Sequence, residues 1–219
     1  MLVLFLKEVC MKRLLLTFVV LIVGFCAATS NADLKRTLDE QSDNRQIALE
    51  MGIAYHNEGL NGDKNSVQKA IKLLSTLVDD DMEGLATAYL GSSHLLRARD
   101  DWNPFGKLSN LNKGYEYLDK AVKEHPDYIL IRIIRGNAYM NIPTIFGKLD
   151  TAISDFERVI ELWPLESEVD EIILTVRLRL GESLMKKGDS DGAYYHWRWV
   201  IRKAPDSPQA DLAKELLRP

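Results

Sequence analysis

The feature that most constrains what this chain can fold into is a spacing that returns along it. Gly181, Ala193, Trp197, Val200 and Pro205 set out a small residue, a second small residue, a large apolar plug, an apolar residue and a helix stop. The frame recurs as Gly136, Ala152, Phe156, Val159 and Pro164, and as Gly91, Gly114, Leu118, Ala121 and Pro126, with the last four positions identically spaced each time. A shorter first copy reads Gly52, Ala70, Leu74 and Leu77, without the proline. Two antiparallel helices account for the pattern. A small residue on each helix lets the backbones approach, the plug one turn later fills the space beside them, and proline ends the second helix. Such a hairpin cannot bury its apolar face alone, so the copies must stack.

The separation of the two small residues varies: 12 residues in the last copy (181 to 193), then 16 (136 to 152), 23 (91 to 114) and 18 (52 to 70). Breaker chemistry in Asn61-Gly62-Asp63, Trp102-Asn103-Pro104-Phe105-Gly106 and Ile142-Pro143-Thr144-Ile145-Phe146-Gly147 assigns the excess to the turns between helices. Helical periodicity runs from Asp33 to Asn57, with the polar stretch Asp39 to Asn44 dividing an arm from a helix. Eight further segments follow: Ser66 to Val78, Glu83 to Arg99, Lys113 to Glu124, Tyr128 to Met140, Asp150 to Leu162, Val169 to Lys187, Asp191 to Lys203 and Gln209 to Leu217. The last comes after Pro205-Asp206-Ser207-Pro208, a cap and start signal, and is expected to cover the open end of the stack. No stretch alternates as a strand would.

The N-terminal end is of another kind. Met11-Lys12-Arg13 gives a positive start, Leu14 to Phe25 carries no charge, and small residues follow at Ala27, Ala28, Ser30 and Ala32. This predicts a secretory signal over residues 1–32, with Met11 an alternative start and cleavage after Ala32 or Ala28. Cys26 stands where a bacterial lipoprotein carries its modified cysteine, but Phe25 fills the preceding position, which normally holds a small side chain. The apolar run is also shorter than the roughly 20 residues of a spanning helix. Cleavage is therefore expected, with a periplasmic or secreted location and no integral membrane span in the mature chain.

Both cysteines, Cys10 and Cys26, lie in that leader, so the mature chain has no thiol for a disulfide, a nucleophile or zinc. The leader holds Lys7, Lys12, Arg13 and Glu8, which leaves 25 basic and 31 acidic residues and a net charge near −6. That balance argues against nucleic acid as a partner and against charge-driven binding to anionic lipid.

With Leu180-Gly181, Ala193, Trp197, Val200 and Pro205 in place, and Leu184 where tyrosine is usual, the chain resembles tetratricopeptide repeat (TPR) proteins from about Arg45 to the C-terminus. The third copy adds Gly136, Tyr139, Ala152, Phe156 and Pro164. The stretch from Ala88-Tyr89-Leu90-Gly91-Ser92 to Arg132-Ile133-Ile134-Arg135-Gly136 is similar to uncharacterised secreted bacterial TPR proteins. The resemblance implies an all-α, right-handed α-α superhelix of about four helix pairs with a C-terminal capping helix. The organisation expected is a leader (1–32), an N-terminal arm (33–44) and one repeat domain (45–219). The function implied is that of a non-enzymatic exported scaffold binding a protein or peptide. The alternative is a solute-binding or transporter-associated periplasmic subunit, a similar class that also carries proline and glycine between paired helices.

Chemistry-bearing motifs are scarce. His56, His94, His125 and His196 are scattered without a second ligand at short spacing, so they are expected on the surface or in a groove and no metal site is expected. Phosphate-cradling loops and nucleophile elbows are absent, and neither catalysis nor a cofactor is expected. Phe105-Gly106-Lys107-Leu108 recurs as Phe146-Gly147-Lys148-Leu149; here glycine is expected to allow a bend while phenylalanine tucks back over the core. Arg132 and Arg135, four and one before Gly136, occupy positions that usually pack between helices, and a buried guanidinium demands a carboxylate. Asp119 and Asp155 are the expected partners in a structural ion pair.

In the repeat frame the groove-lining positions are Leu49, Ile53, His56 and Asn57, then Ala88, Ser92, Leu95 and Leu96. They continue with Ile133, Asn137, Met140 and Asn141, then Leu178, Glu182, Met185 and Lys186. This mostly apolar lining with interspersed amides suits an extended peptide or an amphipathic helix, or the chain's own arm over 33–44.

Overall fold

Each copy of the frame folds into a helical hairpin. The computed structural model describes residues 45–81, 83–163 and 170–218, so the expected leader and arm lie outside the described residues. The first pair is α1 (Arg45–Leu60) and α2 (Lys64–Leu74), and the second is α3 (Leu85–Asp100) and α4 (Pro104–Glu124). The third is α5 (Ile129–Tyr139) and α6 (Leu149–Leu162), the fourth is α7 (Glu171–Lys187) and α8 (Ser190–Lys203), and α9 (Pro208–Leu216) closes the series. Short 3-10 turns at Val78–Asp80 and Thr144–Phe146 interrupt two of the connections.

Local chemistry sets the helix starts. Asp63, Asp170 and Asp189 accept backbone N–H bonds at the starts of α2, α7 and α8, and Ser207 does the same for α9. Each satisfies donors that the first helical turn leaves without a partner. Stacking follows the chain. Every second helix packs on the first helix of the next pair, α1, α3 and α5 lie side by side, and α9 covers α8 and α7.

The plugs sit where the spacing puts them. Leu74, Leu118 and Phe156 are fully buried and Trp197 nearly so, each against the first small residue of its own pair. A Cβ on Gly52 would lie 2.6 Å from Leu74, one on Gly91 2.8 Å from Leu118, and one on Gly136 2.8 Å from Phe156. On Gly181 it would run into the indole nitrogen of Trp197. Gly91 and Gly114 bring two backbones together, since a Cβ on either would stand 3.0 Å from the other's carbonyl oxygen. Each buried plug contributes about 1.5–3 kcal/mol by removal from water; Leu118, Phe156 and Trp197 share one core, while Leu74 packs in a smaller one with Ala48, Ala70, Leu77, Ala86 and Leu90.

Two expectations fail in the turns. α4 begins at Pro104, not near Lys113: Asn103 caps it, its side chain accepting from Phe105 N–H, and Pro104 takes the first helical position, where its missing donor costs nothing. The long 23-residue separation in the second copy is therefore mostly helix. The two Phe-Gly-Lys-Leu stretches also differ. Phe105 to Leu108 lie in the opening turns of α4, whereas Phe146 ends a 3-10 turn and Gly147 adopts φ +65, a left-handed conformation that suits glycine. Neither phenylalanine covers the core. Phe105 is 85% exposed and Phe146 42%, beside Trp102 and Ile145, which are also exposed.

Candidate functional site

The first helices of the pairs present the face on which the expected groove residues fall, and packing divides those residues into two sets. His56, Ser92, Leu95, Leu96 and Met140 are buried, as are Ala88 and Leu178, which makes them packing positions and not an open lining. The reason is geometric. His56, Leu95 and Met140 each stand four residues after the first small residue of their copy, and residues four apart share a helix face, here one packed against neighbouring helices, α3 for His56 and α4 for Leu95. Leu95 accordingly fills the space at Gly114, and His56 Nε2 hydrogen-bonds Ser92 Oγ at 2.9 Å. Burial pushes the His56 imidazole down to about 4, with the Asn57 hydrogen bond opposing the shift. His94 is buried as well, bonded through Nδ1 to Asn110 Oδ1 at 2.9 Å. Both histidines are internal, contrary to the expected surface or groove placement.

The remaining positions stay accessible. Leu49, Ile53, Ile133, Asn137, Glu182 and Met185 are partly exposed, and Asn57, Asn141 and Lys186 are exposed. Glu182 pairs with Arg179 at 2.9 Å, while Lys186 Nζ donates to Met140 O at 2.9 Å and so ties α7 to α5. What is left open is a set of aliphatic side chains and amides on α1, on α5 with its C-terminal end, and on α7, the four expected α3 positions all being buried.

Arg132 and Arg135 join in a network centred on Asp155, a fully buried carboxylate on α6. Asp155 accepts from Arg132 Nη1 at 2.8 Å and from Arg135 Nε and Nη2 at 2.7 and 2.8 Å. Arg135 Nη1 also reaches Asp119 Oδ1 at 3.1 Å. Burial works to lower Arg135, but Asp155 and Asp119 outweigh it and hold the guanidinium above its ordinary value. Tyr139 Oη donates to Asp119 at 2.8 Å, and Lys148 Nζ lies over the Tyr115 and Tyr139 rings at 4.3 and 4.8 Å. The cluster locks α4, α5 and α6 together, with Asp155 sealed inside it and Asp119 at its solvent edge.

Sequence reasoning passed over the equivalent position in the fourth copy. Arg177 precedes Gly181 by four residues, as Arg132 precedes Gly136, and His196 precedes Trp197 by one, as Asp155 precedes Phe156. Arg177 Nη1 meets His196 Nδ1 at 3.2 Å, and its guanidinium lies over the Trp199 ring at 4.0 Å. Aligning the copies on their small residues would have revealed it.

Among the described residues, no group of three or more histidine, cysteine or acidic side chains is placed to hold a metal, and no helix is long and apolar enough to cross a membrane. A small open pocket of about 190 Å³ lies between α1 and α3, lined by Arg45, Leu49, Leu77, Asp81, Glu83 and Ala86 among others. Pockets for small ligands usually enclose about 300–1,000 Å³.

No family model matches the chain, and no curated protein matches it in sequence. Among solved structures it is similar to TTC0263, a thermophilic TPR protein in Thermus thermophilus, with a TM-score of 0.70 and 18% identity over 94% of this chain and 98% of that one. It is also similar to MamA from Desulfovibrio magneticus RS-1, from residue 41 to its end, with a TM-score of 0.52 and 19% identity over 81% and 85% of the two chains. A further MamA structure aligns with a TM-score of 0.51 and 20% identity over 80% and 81%. Identities at this level speak to the fold. The stacked hairpins, each plug seated on a small residue, together with a superposition spanning nearly all of TTC0263, give this chain the TPR-like superhelical repeat fold.

Proposed function

We propose that this chain is a non-enzymatic scaffold of the cell envelope that holds an extended peptide or amphipathic helix of a protein partner against the accessible side chains of α1, α5 and α7. The observation that carries this reading is the accessible set itself. Ile53, Ile133 and Met185 supply partly exposed apolar surface, and Asn57, Asn137 and Asn141 stand beside them with amides suited to a peptide backbone. Leu95 and Met140 are structural, so the test avoids them. Changing Ile53, Ile133 and Met185 to glutamate together should abolish partner capture from envelope extracts while the chain stays helical and melts cooperatively, at a lower Tm because Ile133 and Met185 also pack against the core. Undiminished capture by the folded triple variant would reject the face.

Export belongs to the same proposal and rests on the charge-then-apolar start and the small residues up to Ala32. Intact-mass measurement of the exported protein should give a chain beginning near Asp33. A lipid-modified Cys26, or retention in the cytoplasm, would refute it.

A further inference from the structure

The third and fourth hairpins place an arginine in the same position and give it different partners. In the third, Arg132 Nη1 donates to the buried carboxylate of Asp155 at 2.8 Å, and Arg132 Nε donates to Pro126 O. In the fourth, the same nitrogen of Arg177 meets the ring of His196 at 3.2 Å, where the repeat frame has replaced the carboxylate by an imidazole. α7 starts six residues before Arg177, whereas α5 starts three before Arg132, and Arg177 Nε is buried without an acceptor among the described residues. Burial holds the Arg177 guanidinium below its ordinary value, and no carboxylate among the described residues offsets it. The guanidinium is left with a neutral acceptor and the face of Trp199.

That is an incomplete arrangement for a charge withdrawn from water, because a partly buried guanidinium is normally matched by a carboxylate with parallel bonds. Cation–π contact with an indole offsets less of that loss than a paired carboxylate would. An arginine cannot accept a hydrogen bond, so His196 Nδ1 must be the acceptor and the ring proton sits on Nε2, which is a second donor beside Arg177. Burial first, and the Arg177 charge second, push His196 down to about 4, so the ring is neutral at physiological pH. Arg177, His196 and Trp199 are each only partly buried, and Tyr195 beside them is exposed.

We propose that Arg177, with His196 and Trp199, forms a recognition site for a carboxylate of the protein partner, which gives Arg177 the countercharge that Asp155 gives Arg132 from within the third hairpin. The carboxylate comes from an acidic side chain or from a chain terminus, and the proposal rests on the protein-binding reading only for that source. The contrast with the ion-pair network makes the site testable from within the fold. Substituting His196→Asp supplies the missing carboxylate in cis and should close the site, whereas Arg177→Gln removes the charge that defines it.

The probe is the indole N–H resonance of Trp199, followed by NMR during titration with three acetylated alanine-rich tripeptides. One ends in a free carboxylate, one is amidated with a single aspartate, and one is amidated without an acid. Saturable shifts with either or both carboxylate peptides, absent with the third, support the site and name the source. His196→Asp and Arg177→Gln should each weaken that response at least about tenfold, and the first should melt no lower than the parent. A silent parent, an equal response to the uncharged peptide, or an undiminished response in Arg177→Gln would overturn the proposal. The inner-face glutamate variants should leave this titration intact, so loss of capture there and loss of the carboxylate response here report on separate readings.

Discussion

Replacing Asp155 with asparagine keeps the shape of the side chain and removes the charge on which two arginines converge. Asp155 is fully buried, and its two oxygens accept three guanidinium N–H bonds of 2.7–2.8 Å. Breaking a buried ion pair from one side costs about 3–5 kcal/mol, because the partner charge stays behind unpaired. The lower end applies here: the Arg132 and Arg135 side chains retain 14% and 13% exposure, Arg135 keeps Asp119 and Arg132 keeps Pro126 O. We therefore expect Asp155→Asn to lose about 3 kcal/mol. In a domain of this size each kcal/mol shifts Tm by about 2–4 °C, which gives a fall of roughly 6–12 °C in thermal melts followed by circular dichroism. Denaturant titration should agree. Replacing all three residues, as Arg132→Met, Arg135→Leu and Asp155→Leu, should recover most of the loss, since a well-packed apolar cluster often equals or exceeds a buried ion network. A single variant within about 1 kcal/mol of the parent would show that Asp155 is not the hub that its burial and bonding make it.

Gly181→Ala should destabilise by about 1–3 kcal/mol in the same assay despite the better helix propensity of alanine, because the added methyl meets Trp197 and strains its 3.2 Å bond to Leu178 O; a more stable variant would contradict the packing. Stability should fall as pH drops from 6.5 towards 4. Above 6.5 His56 is neutral in both states, and between the two values the unfolded chain binds the proton that the buried ring refuses, at a cost approaching about 3 kcal/mol. His196, also held down at about 4, adds to the same fall, so a His56→Gln variant should reduce the slope and leave the His196 share; an unchanged slope would locate the acid sensitivity elsewhere.

What the sequence made legible is what local chemistry and close packing dictate. Gly136 with Phe156 and Gly181 with Trp197 could be paired from spacing because only a small residue admits a plug at that depth. The acids facing Arg135 could be named because a guanidinium in a packed position demands them. The start of α4 was misread because Asn103-Pro104 serves equally as a turn breaker and as an N-cap with proline in the first helical position, and only the packing of α4 on α3 decides between them. The inner face was overcounted for a related reason: Leu95 and Met140 share a helix face with the small residues of their copies, and that face is packed against neighbouring helices. The exposure of Phe105 and Phe146 had no signal in the sequence at all, since a phenylalanine after a proline reads the same whether it covers a core or stands in solvent.

The central claim is that partners are held by the inner face of the first helices. Site-specific photo-crosslinking tests it most directly. A photoreactive residue placed at Asn137, on the accessible part of α5, should give a discrete crosslinked partner in envelope extracts, and the same residue at Ser154, exposed on α6, should give none. Crosslinks from Ser154 with Asn137 silent would contradict the account and move the binding surface to the opposite side of the repeat stack.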